Sequence, residues 1–304
     1  MRCLVTGGSG FVGAHLVRRL LQEGHEVHLF LRPGYAEWRL KTVLSSCQVH
    51  LLDLQDASAV DRFVRVSRPD WVFHLAAYGA YPDQTDSYKT INNNLLGSIV
   101  LVDSCLKISV GCYLNTGSSS EYGPKDHAPS EAEVLEPTSS YGISKAAATQ
   151  YCSMASRTNG LPGKTLRLYS VYGPLEKPTR LIPTLLRHAK TGTWPPLANA
   201  DAAHDFVYVD DVSEAYLRAA TVEGQAPGAI YNIGSGKQTS LRDLTKAVDE
   251  LWPVPSQPVW GSMPDRPWDT SVWVANPTRA AEILGWRAST SLKEGLRLTM
   301  EQLP

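Results

Sequence analysis

Residues 7–13 read GGSGFVG, placed between the apolar run Cys3-Leu-Val-Thr6 and the amphipathic stretch FVGAHLVRRLLQEG (11–24). Gly8-Ser9-Gly10-Phe11-Val12-Gly13 satisfies GxGxxG, and Gly7, Gly10 and Gly13 also satisfy GxxGxxG. A strand, a glycine turn and a helix in that order form the opening unit of a dinucleotide site. Backbone without Cβ lets the helix N–H groups come close to a pyrophosphate. Gly7, Gly10, Phe11, Val12 and Gly13 are therefore expected to line the cofactor; the plainer alternative is a glycine-rich turn with no ligand.

Beyond this unit, short apolar runs and helical patterns keep alternating. CLVT, EVHLFL, QVHLL, DWVFHL, CYLNT and KTLRL have the look of buried strands. FVGAHLVRRLLQEG, DASAVDRFVRVS, NNNLLGSIVLVDSCLK and YGISKAAATQYCSMASRTNG have that of helices. The alternation predicts an α/β fold, a doubly wound parallel (Rossmann) sheet built from right-handed βαβ units. After about Ser170 the rhythm breaks, and residues 172–204 are rich in Pro and Gly. The expected division is a nucleotide-binding domain of 1–170 plus about 205–232, and a smaller substrate-binding domain of about 171–204 and 233–304. A length of 304 residues, 43% of them hydrophobic, supplies core enough for both.

The net charge of −1 gives no electrostatic reason to expect nucleic acid or an anionic membrane as partner. No apolar stretch is long enough to span a bilayer, and the start lacks the pattern of a signal peptide. Five scattered cysteines without a CxxC pair point away from zinc and from a disulfide framework. The expected setting is cytoplasmic, with no metal.

Two further positions bear on the cofactor. An NAD site places Asp or Glu near the end of the second strand, to accept from the ribose 2′-hydroxyl; an Arg there suits a 2′-phosphate. Here that position is Leu31 and Arg32 follows, so NADP(H) is expected, with NAD as the alternative. Asp53, with Leu54 beside it after the third strand, could accept from the adenine amino group or merely cap a turn.

Tyr141-Gly-Ile-Ser-Lys145 puts a phenol and an ammonium at i and i+4, on one helix face. A nearby ammonium favours phenolate, which brings the phenol toward the pH range of acid–base work.

With these pieces in place the chain resembles the extended short-chain dehydrogenase/reductase family, in particular its nucleotide-sugar epimerases, dehydratases and reductases. The matching motifs run from end to end: GGSGFVG, LLDL, HLAA, NNNLLGS, SSSEYG, YGISK, LRLYSVYGP, HDFVYVDD, YNIGSG, RPWD and AEILGW. The resemblance implies that Ser118, four residues before Tyr122, steadies the substrate oxygen, while Tyr141 carries the proton and Lys145 tunes it and binds the nicotinamide ribose. It implies that Ala76 and Ala77 wall that ribose and that Asn94 orients the backbone behind the tyrosine. Dehydratases of the family carry acids one and two places after the Ser; here Ser119 and Ser120 stand there. Glu121 comes one place later and, on a strand, would face away. A structural acceptor is the expected role of Glu121.

For the substrate, the resemblance implies that Arg266 contacts a diphosphate. The family's second arginine is replaced by His204, with Arg180 able to compensate, and its usual Asn before VYGP is Ser170; Ser119 is a further candidate. The leading expectation is an NADPH-dependent reductase of a nucleotide-linked 4-keto sugar, with an NAD-dependent 4-epimerase as the alternative and a catalytically silent nucleotide-binding protein behind both. The family also implies a homodimer packed through residues 92–108 and 141–158, with Leu95, Ile99, Val102, Ala146, Gln150 and Met154 as candidate contacts.

Overall fold

The computed structural model describes residues 1–81, 83–263 and 270–303. The strands β1 (Arg2–Thr6), β2 (Glu26–Leu31), β3 (Gln48–Leu51), β4 (Trp71–His74), β5 (Cys112–Ser118) and β6 (Gly163–Leu168) form where the apolar runs lie. Short strands β7 (Ser170–Tyr172), β8 (Ala203–His204) and β9 (Phe206–Tyr208) follow, then β10 (Ala229–Ile233) and β11 (Thr239–Ser240). Seven of them make one parallel sheet in the order β3-β2-β1-β4-β5-β6-β10. The strand order reverses beside β1, which opens the crevice between the exits of β1 and β4 where such sheets bind ligands.

The helices are α1 (Phe11–Gln22), α2 (Ala57–Ser67), α3 (Ser87–Ile91), α4 (Gly97–Cys105), α5 (Ser140–Asn159), α6 (Leu181–Lys190), α7 (Val209–Thr221), α8 (Leu241–Leu251), α9 (Thr278–Ile283) and α10 (Leu292–Glu301). A wide π turn, Asn92–Leu96, joins α3 to α4. Strand pleating divides the core. Cys3, Val5 and Phe73 face one side with Leu16, Leu20 and Tyr216 of α1 and α7, whereas Leu4 and Val72 face the other with Val60, Leu101 and Cys152 of α2, α4 and α5. A third core joins α6, α8 and α10 through Leu185, Leu186, Leu244, Val248 and Leu296. Among the described residues no helix is long and apolar enough to cross a membrane. The five cysteines are free.

Two features differ from the expectations. Val102, named as a dimer contact, is 1% exposed and belongs to the core beneath α2 and α4. The π turn shifts the helical phase by one position, so Leu96, 45% exposed, faces outward together with Ile143, 50% exposed. The C-terminal stretch assigned to the smaller domain also does not stay with the third core: Ala280, Leu284 and Trp286 pack into the core of β1 and α7. Trp286 is 1% exposed and its indole Nε1–H donates to the Asp211 carbonyl at 2.8 Å. Replacing Trp286 by Ala should cost about 3–5 kcal/mol of stability, read as a lower urea midpoint.

Candidate active site at the sheet switch point

The glycine loop is packed backbone against backbone. Gly7 has φ +71°, and a Cβ there would lie 2.5 Å from the amide nitrogen of Ala76; a Cβ on Gly13 would lie 2.2 Å from the Gly7 carbonyl. Gly10 caps α1 without a side-chain hydrogen bond and no acid stands in the first turn, so the N–H groups and positive dipole end at Phe11 and Val12 are suited to an anion. These features fit a dinucleotide pyrophosphate. Across the crevice Ala76 is partly buried, its N–H donating to Thr6 Oγ1 at 3.2 Å, and Ala77 is exposed. Leu31 is buried at the end of β2 and Arg32 is exposed just beyond it. Asp53 is exposed and accepts from the Gln55 N–H at 2.9 Å, a turn cap, while Leu54 packs against Gly97 of α4.

Sequence reasoning overlooked Arg39. It is 8% exposed, stacks on Trp38 at 4.1 Å, and donates from Nε to the Leu175 carbonyl at 2.8 Å and from Nη1 to the Ser9 carbonyl at 3.4 Å. It thereby ties the glycine loop to the segment after β7. The sequence carried no signal for this beyond a cation in a loop.

Ser118 ends β5 and Tyr141 opens α5, whose N-cap is Ser139, accepting from the Gly142 N–H at 3.0 Å. The Ser118 hydroxyl neighbours the Tyr141 phenol and lowers it, and Lys145, 2% exposed, lies one helical turn further on. The three expected catalytic side chains thus converge beside the crevice. Their electrostatics differ from expectation. Burial pushes the Tyr141 phenol up to about 12, opposed by the Ser118 hydroxyl. Burial pulls the Lys145 ammonium down to about 8, opposed by the charge of Glu121. Removal from water is the largest cause for both groups.

On the substrate side, Ser119 is buried directly after Ser118. Ser170 and His204, the two departures from the family pattern, meet: Ser170 Oγ and His204 Nδ1 are 3.3 Å apart, and His204 packs on Phe206. Arg180 caps the start of α6, pairs with Glu176 at 3.5 Å and lies over the ring of Tyr81, and its charge lowers the Tyr141 phenol. Arg266 lies outside the described residues. Asn94, in the π turn, accepts from the Tyr78 N–H at 2.7 Å and donates to the Tyr78 carbonyl at 2.7 Å and to Ser144 Oγ at 2.9 Å. It joins the loop after β4 to α5.

Glu121 is not on a strand. β5 stops at Ser118, and Ser119–Glu121 form a 3₁₀ turn closed by a capping box with Ser118. The argument from strand alternation therefore fails, because the turn, not the pleat, directs the side chain. It points into the core with no exposed surface and accepts from the Ser118 N–H at 2.9 Å, Thr149 Oγ1 at 3.0 Å and Arg167 Nε at 2.8 Å. Its carboxylate is consumed by structure. Glu121→Gln strands a buried guanidinium and should destabilise the protein by about 3–5 kcal/mol, whereas Glu121→Gln with Arg167→Met should recover part of that loss; chemical denaturation of the two variants measures both.

A sequence model of the NAD dependent epimerase/dehydratase family matches residues 3–234. A UDP-glucose 4-epimerase from Mycolicibacterium smegmatis is 31% identical, the alignment covering 99% of this chain and 98% of the relative. Among solved structures, a UDP-glucose 4-epimerase from Thermotoga maritima with UDP-glucose superposes with a TM-score of 0.90 at 29% identity, covering 99% of this chain and 98% of its own. A Thermus thermophilus UDP-glucose 4-epimerase in complex with NAD gives a TM-score of 0.87 at 30% identity, covering 100% and 99%. With the glycine loop, the Ser118–Tyr141–Lys145 set and a family match over most of its length, the chain belongs to the NAD-dependent epimerase/dehydratase family.

Proposed function

We propose that this protein is a nicotinamide-dependent 4-epimerase of a nucleotide sugar. The observation that carries the reading is the joining of Ser118, Tyr141 and Lys145 at the switch point of a chain similar over its whole length to UDP-glucose 4-epimerases. A bound nicotinamide cofactor supplies the acceptor and donor of hydride at the sugar C4. Gly7, Gly10, Phe11, Val12 and Gly13 would hold its pyrophosphate, and Ala76, Ala77 and Lys145 its nicotinamide ribose. Tyr141 takes and returns the proton of the C4 hydroxyl, and Ser118 fixes that oxygen by a hydrogen bond. A phenol raised to about 12 suits the return of the proton; its removal draws on the cation of Lys145, which burial brings down to about 8. Elimination is disfavoured, because Ser119 and Ser120 occupy the positions of a dehydratase's acids and Glu121 is bound up in the core. The third core, with Arg180, His204 and Arg266, would form the substrate half and receive the diphosphate.

A second reading is an NADPH-dependent reductase of a 4-keto nucleotide sugar. It is favoured by the absence of an acid at Leu31 and by Arg32, which suit a 2′-phosphate. The cofactor retained by the purified protein separates the two. The epimerase reading expects tightly held NAD and interconversion of C4 epimers with no net cofactor loss. Exchangeable NADPH consumed one for one with product would give the case to the reductase. On either reading Tyr141→Phe should lower kcat by ~10²–10⁴-fold and Ser118→Ala by ~10²-fold or more, the cost of losing an acid or an oxyanion donor.

The exposed apolar face of α3 to α5, with Leu96, Ile143 and Met154, is proposed as the homodimer contact. Sedimentation at micromolar concentration should give a dimer, and Ile143→Asp should shift it to monomer; a monomeric unmodified protein would refute the assignment.

A further inference from the structure

A chain of buried hydrogen bonds links the end of β1 to the catalytic helix, and its proton positions follow from the partners. The Ser98 hydroxyl lies 2.5 Å from the Asn94 carbonyl, which can only accept, so Ser98 donates there. Toward His74 Nε2, 2.8 Å away, Ser98 Oγ therefore accepts, and Nε2 carries the hydrogen. Burial, with the charge of Lys145 nearby, pulls His74 down to about 3, so the imidazole is neutral and Nδ1 is bare. Thr6 Oγ1, 2.7 Å from Nδ1, must then donate to it, and in turn accepts from the Ala76 N–H. From Asn94 the chain continues through its side-chain Nδ2 to Ser144 Oγ, and the Ser144 hydroxyl donates to the Tyr141 carbonyl at 2.7 Å. Thr6, His74, Asn94, Ser98 and Ser144 are all buried.

We infer that His74, held as its Nε2–H tautomer, is a positioning residue: through Ser98 it fixes the π turn that carries Asn94, and Asn94 sets Tyr141 against the cofactor-side loop at Ala76–Tyr78. Tautomer and turn are coupled in a specific way. An imidazole protonated at Nδ1 would present a bare Nε2 to Ser98, drawing the hydroxyl hydrogen away from the Asn94 carbonyl. The wide turn would then lose the bond that holds that carbonyl, and Asn94 could no longer clamp Tyr78 and Ser144 together. Fully satisfied buried networks of this kind hold one geometry because each link has one direction. His74 touches no reacting atom in this account; it acts through Asn94 and Tyr141.

The role in turnover rests on the epimerase or reductase reading, so the test has one arm that does not. In ¹⁵N NMR of the full chain loaded with NAD, the His74 ring should show a protonated Nε2 and a bare Nδ1 at pH 6 and at pH 8. A protonated Nδ1, or a ring that titrates between those values, overturns the inference. In the second arm, Ser98→Ala and His74→Phe should each lower kcat at least tenfold while KM for the nucleotide sugar and affinity for NAD change by less than about threefold. His74→Gln, whose amide can still donate to Ser98, should restore much of the rate. The Ser98→Ala variant keeps the ring and the fold if His74→Phe does not fold. Unchanged kcat in Ser98→Ala, with only a lower melting temperature, reduces His74 to a structural residue and overturns the inference. If the unmodified protein turns over no nucleotide sugar, the functional reading fails while the tautomer result stands.

Discussion

The buried pair of Glu121 and Arg167 is the constraint on which the site depends. Each side chain is at most 1% exposed, and their contact of 2.8 Å joins the turn after β5 to the C-terminal end of β6. A charge so far from water persists only when its hydrogen-bonding capacity is met. Glu121 meets this with the Ser118 N–H and Thr149 of α5, and Arg167 with the Tyr122 hydroxyl, which donates onward to Asn232 of β10 at 2.7 Å. Three strands and α5 are thereby referred to one carboxylate. Gly117 is required for the same reason: a Cβ there would stand 2.6 Å from Glu121 Oε1.

Much of this was legible in the sequence because it depends on periods and local chemistry. The run CLVT, the glycine loop and the helix after it announce themselves through alternation and through the absence of Cβ. The YGISK spacing places Tyr141 and Lys145 on one face whatever surrounds them. The direction of Glu121 was not legible, since nothing local says that β5 yields to a 3₁₀ turn at Ser119. Nor was the outward position of Leu96, which depends on one extra residue in the π turn. The raised phenol of Tyr141 was missed because burial is a property of the assembled fold, and the sequence shows only the neighbouring ammonium. Arg39 was missed because its partners are backbone carbonyls from two distant loops, Ser9 and Leu175.

The mouth of the crevice is bridged by charged side chains rather than by apolar contacts. Besides Arg39, Lys177 pairs with Asp83 at 3.0 Å and lies over the ring of Tyr81, with Arg180 on the same ring and Glu176 buried behind it. Burial raises the Glu176 carboxyl to about 7, against the pull of Arg180 and Arg39. Such contacts are individually weak in water and gain strength as water leaves.

Trp286 closes the core of β1 from the far end of the sequence, and this bears on how the protein is made. On the ribosome the first βαβ units emerge well before Ala280, Leu284 and Trp286, which pack into the same core. Contacts of such long sequence separation form late, after a large loop entropy has been overcome. The nascent sheet around β1 must therefore wait with apolar surface uncovered until those residues have been made, the interval in which a chaperone has most to do.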